Sequence, residues 1–121
     1  MKRISDAELE IMKIIWKEKA VKSKKIIEQV KDFNWNDNTV RTLINRLIKK
    51  KAVGISEKNG KEYTFIPLID EGKYKLEATK KFLGTFFHGS VLEFLKFLID
   101  YDKKYYEEIC DFWEHYEDLE E

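Results

Sequence analysis

The sequence predicts a mostly α-helical chain with one small β-hairpin. Three observations carry that expectation. Apolar residues recur at helical spacing through most of the 121 residues. One Asn-Gly pair, Asn59-Gly60, sits between two short runs of strand-forming residues. Charge also divides the chain. Up to Lys81 there are 20 basic and 12 acidic residues, a net of +8, and from Phe82 onward 3 basic and 11 acidic, a net of −8.

The first helix is announced by its cap. Ser5 followed by Glu8 is a capping box, and Ile4 with Leu9 occupies the positions of a hydrophobic staple. Leu9, Met12 and Trp16, with Ile11, Ile14 and Ile15, then form a wide apolar stripe. A second, short helix is expected after Ser23 as N-cap, turning Ile26, Ile27 and Val30 inward. Lys31 to Trp35 reads as a loop.

The third helix is the informative one. Asn36 is its expected cap, Asp37 suits the positive helix start, and the pattern runs to about Lys51. Val40, Leu43, Ile44, Leu47 and Ile48 share one apolar face, and Asn38, Arg41, Thr42, Asn45 and Lys49 share the opposite one, flanked by Thr39 and Arg46. Arg reads guanine bidentately, Asn reads adenine, and a Thr methyl touches thymine. On an isolated helix such a face is ordinarily just solvated.

The segment after this helix changes that weighting. Val53 to Lys58 and Lys61 to Ile66 flank Asn59-Gly60, read as a hairpin turn with both central residues at positive φ. Pro67 ends the second strand. Three helices and then a hairpin with Lys58 and Lys61 near its tip is the order of a winged helix-turn-helix. There the third helix enters the major groove and the wing reaches the adjacent backbone.

From Asp70 onward the pattern is helical: Glu71 to about Phe86, a break near His88-Gly89-Ser90, Val91 to about Ile99, and Asp102 to about Tyr116. Eleven of the 17 aromatics lie in the last 40 residues. So short and acidic a segment has difficulty covering them alone, and a second copy is the natural cover. The expected interface residues are Phe82, Phe86, Phe87, Leu92, Leu95, Leu98, Ile109, Phe112 and Trp113. Folding back onto the winged helix is the alternative, but that core is complete without these helices. The expected division is thus residues 1–70 for DNA binding and 71–121 for dimerisation.

Several functions are disfavoured. One Cys makes no internal disulfide or thiolate cage, and Cys110 reads as a small buried apolar residue. His88 and His115 are far apart, and no metal or cofactor is expected. No catalytic triad or phosphate loop is visible, so no enzyme is expected. Met1-Lys2-Arg3 leads into no apolar stretch, and the longest charge-free run, Phe82 to Leu92, has 11 residues, short of a bilayer span. The expectation is a soluble cytoplasmic protein without a membrane partner.

Thr39-Val40-Arg41-Thr42-Leu43-Ile44-Asn45-Arg46-Leu47 closely resembles the recognition-helix signature of the penicillinase-repressor family, the BlaI, MecI and CopY type. Ile4 to Met12 with Trp16, Gly60 to Phe65 running into Pro67-Leu68-Ile69, and Phe86 to Ser90 resemble it too. The resemblance implies a homodimeric transcriptional repressor on a dyad-symmetric operator, with Asn38, Thr39, Arg41, Thr42 and Arg46 on bases or phosphates. In β-lactam-responsive members a sensor protease system leads to cleavage of an Asn-Phe bond in the dimerisation helices. Here no Asn follows Asn59, and Phe94 and Phe97 follow Glu93 and Lys96, so the resemblance implies a sensor protease system as a partner only weakly. Copper-responsive members carry paired cysteines, absent here. The rival expectation is a winged-helix protein-interaction module that touches no DNA.

Overall fold

The structure, a computed structural model, describes residues 3–119. Met1 and Lys2, part of the expected leader-free start, and Glu120 and Glu121, at the end of the second expected region, lie outside the described residues. The chain divides into two compact units after Tyr74.

In the first unit, α1 (Asp6–Glu18) begins as expected. Ser5 Oγ accepts from the Glu8 amide at 3.1 Å, and Glu8 Oε1 accepts from the Ser5 amide at 3.0 Å. Ile4, Ile11, Met12, Ile15 and Trp16 are buried, with Leu9 and Ile14 packed at the core's edge. Each such burial contributes about 1.5–3 kcal/mol. The weak helix preference of Ile costs only about 0.5 kcal/mol, so packing decides.

A strand that the periodicity does not announce comes next: β1 (Val21–Lys22). It corrects the start of α2 (Ser23–Gln29). Lys22, not Ser23, occupies the cap position, and among the described residues no side chain caps this helix. Lys22 is held extended by pairing with Thr64, which brings the helix start forward so that Ser23 falls inside it. Lys25 Nζ and Gln29 Nε2 both donate to the Glu18 carboxylate, at 3.1 and 3.0 Å, and tie α2 to the end of α1. Ile26 and Val30 are buried and Ile27 is half-buried. The expected loop holds a 3-10 turn at Lys31–Phe33, then Asn34 in the left-handed region and Phe33 stacked on Trp35 at 4.7 Å.

Asn36 caps α3 (Asp37–Lys49), its Oδ1 accepting from the Thr39 amide at 2.8 Å. Val40, Leu43, Ile44 and Leu47 are buried against α1 and α2, and Ile48 is half-buried. Strands β2 (Val53–Asn59) and β3 (Glu62–Pro67) form the wing, and the antiparallel sheet runs β1-β3-β2. The turn sits one residue later than expected. Asn59 pairs with Glu62, so the central residues are Gly60 and Lys61, and of these Gly60 alone has positive φ, 63°. A turn with glycine in its first central position requires only that one positive φ.

Trp16 Nε1 donates to the Ile69 carbonyl at 2.9 Å, and its ring meets Tyr74 at 5.7 Å. These contacts hold the start of α4 (Glu71–Phe87) in the first unit, so the division falls inside that helix.

The second unit continues α4 and adds α5 (Val91–Tyr101), α6 (Lys103–Glu114) and α7 (Tyr116–Leu119). His88 and Gly89, both at positive φ, break the chain before α5. Ser90 caps α5, accepting from the Glu93 amide at 3.1 Å, and Asp102 caps α6, accepting from Lys104 at 3.0 Å. The expected last helix is interrupted at His115. Among the described residues no single helix is long and apolar enough to cross a membrane; α4 and α5 reach that apolarity only as a pair bent by 66°.

Candidate nucleic-acid interface

The buried stripe of α3 fixes which residues face outward. Asn38, Arg41, Thr42, Asn45, Arg46 and Lys49 are exposed, and Thr39 is half-buried with its amide taken by the cap. Thr42 Oγ1 donates to the Asn38 carbonyl at 2.9 Å, so its hydrogen is used within the helix. Its methyl and its lone pairs remain available to a ligand.

Few cations of the first unit are ion-paired among the described residues, and Arg3, Lys17, Lys19, Lys24, Lys31, Lys51 and Lys73 lack a carboxylate partner as the cations of this face do. Lys13, Lys22, Lys25 and Lys50 each have a carboxylate within ion-pair distance. Arg41, Arg46, Lys49, Lys58 and Lys61 have none among the described residues. Lys58 instead stands over the Tyr63 ring, 5.3 Å from its centroid, across the β2–β3 register. What this face has of its own is placement: three cations on one exposed helix face stand near two on the neighbouring hairpin, an arrangement that suits a polyanion.

A cleft of about 410 Å³ joins the two elements. Ile44 and Phe65 floor it, and Ser23, Arg41, Asn45, Lys61 and Tyr63 form its rim. Of the expected residues it thus unites Arg41, Asn45 and Lys61. Asn38, Thr39, Thr42, Arg46, Lys49 and Lys58 lie outside it. Ser23 and Tyr63 are functional candidates that the sequence reading misses. For Tyr63 a signal exists, because Tyr63 and Phe65 alternate on one face of β3 and Phe65 is core.

The end of α3 is anchored by charge. Lys50, its C-cap residue, meets the buried carboxylate of Glu8. Burial pushes the Glu8 carboxyl up, but hydrogen bonds from Lys50 and Ser5 outweigh it and hold the group below the usual range.

In the second unit Phe82, Phe86, Leu92, Phe112 and Trp113 are exposed, and Phe87, Leu95, Leu98 and Ile109 are half-buried. Leu83 is the one buried hydrophobic residue among the described residues of that unit. Cys110 is a correction: it is exposed, not buried, because it shares a face of α6 with the exposed Tyr106, Trp113 and Glu114. A hydrogen bond to Cys110 pushes the Tyr106 hydroxyl up. His115 Nδ1 lies 2.9 Å from the Asp111 carbonyl, and that hydrogen bond together with the Asp111 charge raises its pKa. No group of three or more His, Cys, Asp or Glu side chains able to hold a metal occurs among the described residues.

Comparison with known proteins agrees with the arrangement. A family model described as penicillinase repressor matches residues 4–115. The penicillinase repressor of Bacillus licheniformis is 34% identical over 113 residues, covering 93% of this chain and 88% of that protein. A solution structure of the DNA-binding domain of the repressor BlaI superposes with a TM-score of 0.53 at 41% identity, covering 61% of this chain and 94% of that one. Bacillus licheniformis BlaI, solved as a monomeric form in complex with the blaP half-operator, gives 0.51 at 39% identity, covering 60% of this chain and 89% of that one. With the model matching nearly the whole chain and the first unit built as a winged helix with an unpaired basic face, the chain belongs to the penicillinase repressor family.

Proposed function

We propose that this protein is a homodimeric, cytoplasmic transcriptional repressor that occupies a dyad-symmetric operator. The observation that carries the reading is the placement of Arg41, Arg46 and Lys49 with Asn38, Thr42 and Asn45 on the exposed face of α3, beside Lys58 and Lys61 of the wing. The solved half-operator complex of BlaI, a relative with this fold, supports it.

In this reading residues 1–70 form the DNA-binding part. Asn38, Thr39, Arg41, Thr42, Asn45, Arg46 and Lys49 meet bases and flanking phosphates in the major groove, while Lys58 and Lys61 meet the backbone. Residues 71–121 pair two copies through the apolar residues Phe82, Phe86, Phe87, Leu92, Leu95, Leu98, Ile109, Phe112 and Trp113. Two recognition helices then sit about 34 Å apart, one turn of duplex. The net +8 of the first 81 residues, doubled in the dimer, supplies salt-sensitive attraction. A sensor protease system is the weaker partner in this reading and would have to act at another bond, since no Asn follows Asn59.

Selection from a random duplex library at two salt concentrations tests the proposal. The expected result is a palindromic motif with half-sites about one turn apart. Binding without a motif, abolished by salt, overturns it in favour of an interaction module.

A further inference from the structure

The cleft between α3 and the wing has a composition of its own. Its floor, Ile44 and Phe65, is apolar, and its rim carries two cations and two hydroxyls. Resting on the DNA-binding reading, we propose that it seats one sugar–phosphate unit of the duplex backbone, with Ser23 and Tyr63 donating hydrogen bonds to the phosphate.

The occupant is set by the lining. A deoxyribose presents carbon to the Ile44 and Phe65 floor, while its phosphate needs donors and positive charge. Arg41 and Lys61 provide that charge, and no carboxylate lines the cleft to neutralise it. The hydroxyls of Ser23 and Tyr63 have no hydrogen-bond partner among the described residues, so both are free to donate. Lys58 over the Tyr63 ring steadies that side chain from the β2 strand. Arg41 and Asn45 also belong to the face that reads the groove, so an occupant of the cleft abuts that groove. A phosphate held there sets the depth and register of α3 without reading sequence. A free mononucleotide shares this chemistry and is the other source to be distinguished.

The test uses the full chain, its selected operator and a random duplex of equal length, over a salt series. Tyr63→Phe removes one oxygen and keeps the ring beneath Lys58, and Ser23→Ala removes the other hydroxyl. Each is expected to weaken both duplexes by the same factor, roughly two- to ten-fold. The dependence on salt should not change, because a neutral donor displaces no counterion. Ser23→Thr, which keeps a hydroxyl, should restore binding, and unchanged thermal unfolding excludes a folding defect. Unaltered affinity in both variants overturns the proposal, as does a loss confined to the operator. Adenosine 5′-monophosphate that binds the parent but not Tyr63→Phe, and does so without displacing duplex, would assign the cleft to a free nucleotide and overturn it too. A parent that binds duplex without a motif, yet loses affinity in both variants, separates failure of the repressor reading from failure of this one.

Discussion

Lys50 Nζ lies 2.6 Å from Glu8 Oε1 and 2.7 Å from the Arg3 carbonyl, joining the last turn of the recognition helix to the first turn of α1. The Glu8 side chain is 2% exposed and that of Lys50 20%. The same Glu8 oxygen also closes the capping box with Ser5, while Oε2 has no hydrogen-bond partner among the described residues. One carboxylate therefore caps α1 and fixes where α3 ends.

Glu8→Ala removes both contacts and leaves Lys50 half-sequestered without a counter-charge. Breaking a buried pair costs about 3–5 kcal/mol. Because Lys50 retains some access to water, about 2–4 kcal/mol is expected. Urea unfolding measures it, and a loss under about 1 kcal/mol, the scale of an exposed pair, would show that the pair is dispensable.

The same group sets an acid limit. Burial raises the Glu8 carboxyl, but the Lys50 and Ser5 contacts prevail and its folded value lies below its unfolded one. For a depressed carboxyl the contribution is complete above the unfolded value, about 4.3, and disappears as pH falls through the folded value. The difference in thermal midpoint between the parent and Glu8→Gln should therefore be constant above about pH 5 and shrink below about pH 4. A difference that stays constant down to about pH 3 refutes the assignment.

How far the sequence reaches is clear from particular residues. The capping box, the α3 stripe and the break at His88-Gly89 are local patterns, and local patterns are legible. Lys50 lies 42 residues from Glu8, and a capping box already accounts for that Glu, so nothing in the sequence points to the pair. Strand β1 has two residues, too few to display a period, and the extended Lys22 that it creates displaces the expected Ser23 cap. The hairpin is legible but its turn reads one residue early, because a glycine serves either central position and only the Asn59–Glu62 pairing decides. The face of α3 is legible from its period, whereas the cleft needs β3 brought beside it.

Arg41→Ala should weaken operator binding by about 1–3 kcal/mol and relax preference at one base position. Lys58→Ala should instead weaken all duplexes alike and flatten the salt dependence, since a phosphate contact releases counterions. Titration of operator and random duplex over a salt series separates the two. If both variants bind like the parent, the face is misassigned.

Lys51, just past α3, holds a left-handed φ of 62° that a side chain tolerates poorly. Lys51→Gly relieves a cost of roughly 1–2 kcal/mol, offset in part by the greater freedom of glycine in the unfolded chain. A net gain of about 0.5–1 kcal/mol is expected. Gly60→Ala tests the converse at φ +63°, where an added Cβ meets nothing within 4 Å, so any loss reports the backbone alone. Denaturant midpoints moving opposite to these signs would contradict the strain argument.

In the second unit Leu92, Trp113 and Phe86 are 77%, 75% and 66% exposed in a single copy. Leaving so many large apolar side chains in water is unfavourable, and pairing two copies removes them from it. Leu92→Glu and Trp113→Glu place charges on that surface without touching the first unit's core, and both should shift the chain from dimer to monomer in sedimentation equilibrium. Half-operator affinity should persist, since each winged helix is intact. Affinity for the full operator should fall by roughly ten-fold or more, because the second half-site then loses its tethered partner. If the variants remain dimeric, these side chains do not form the interface. Should they become monomeric with full-operator affinity intact, the two half-sites are not bound as a linked pair.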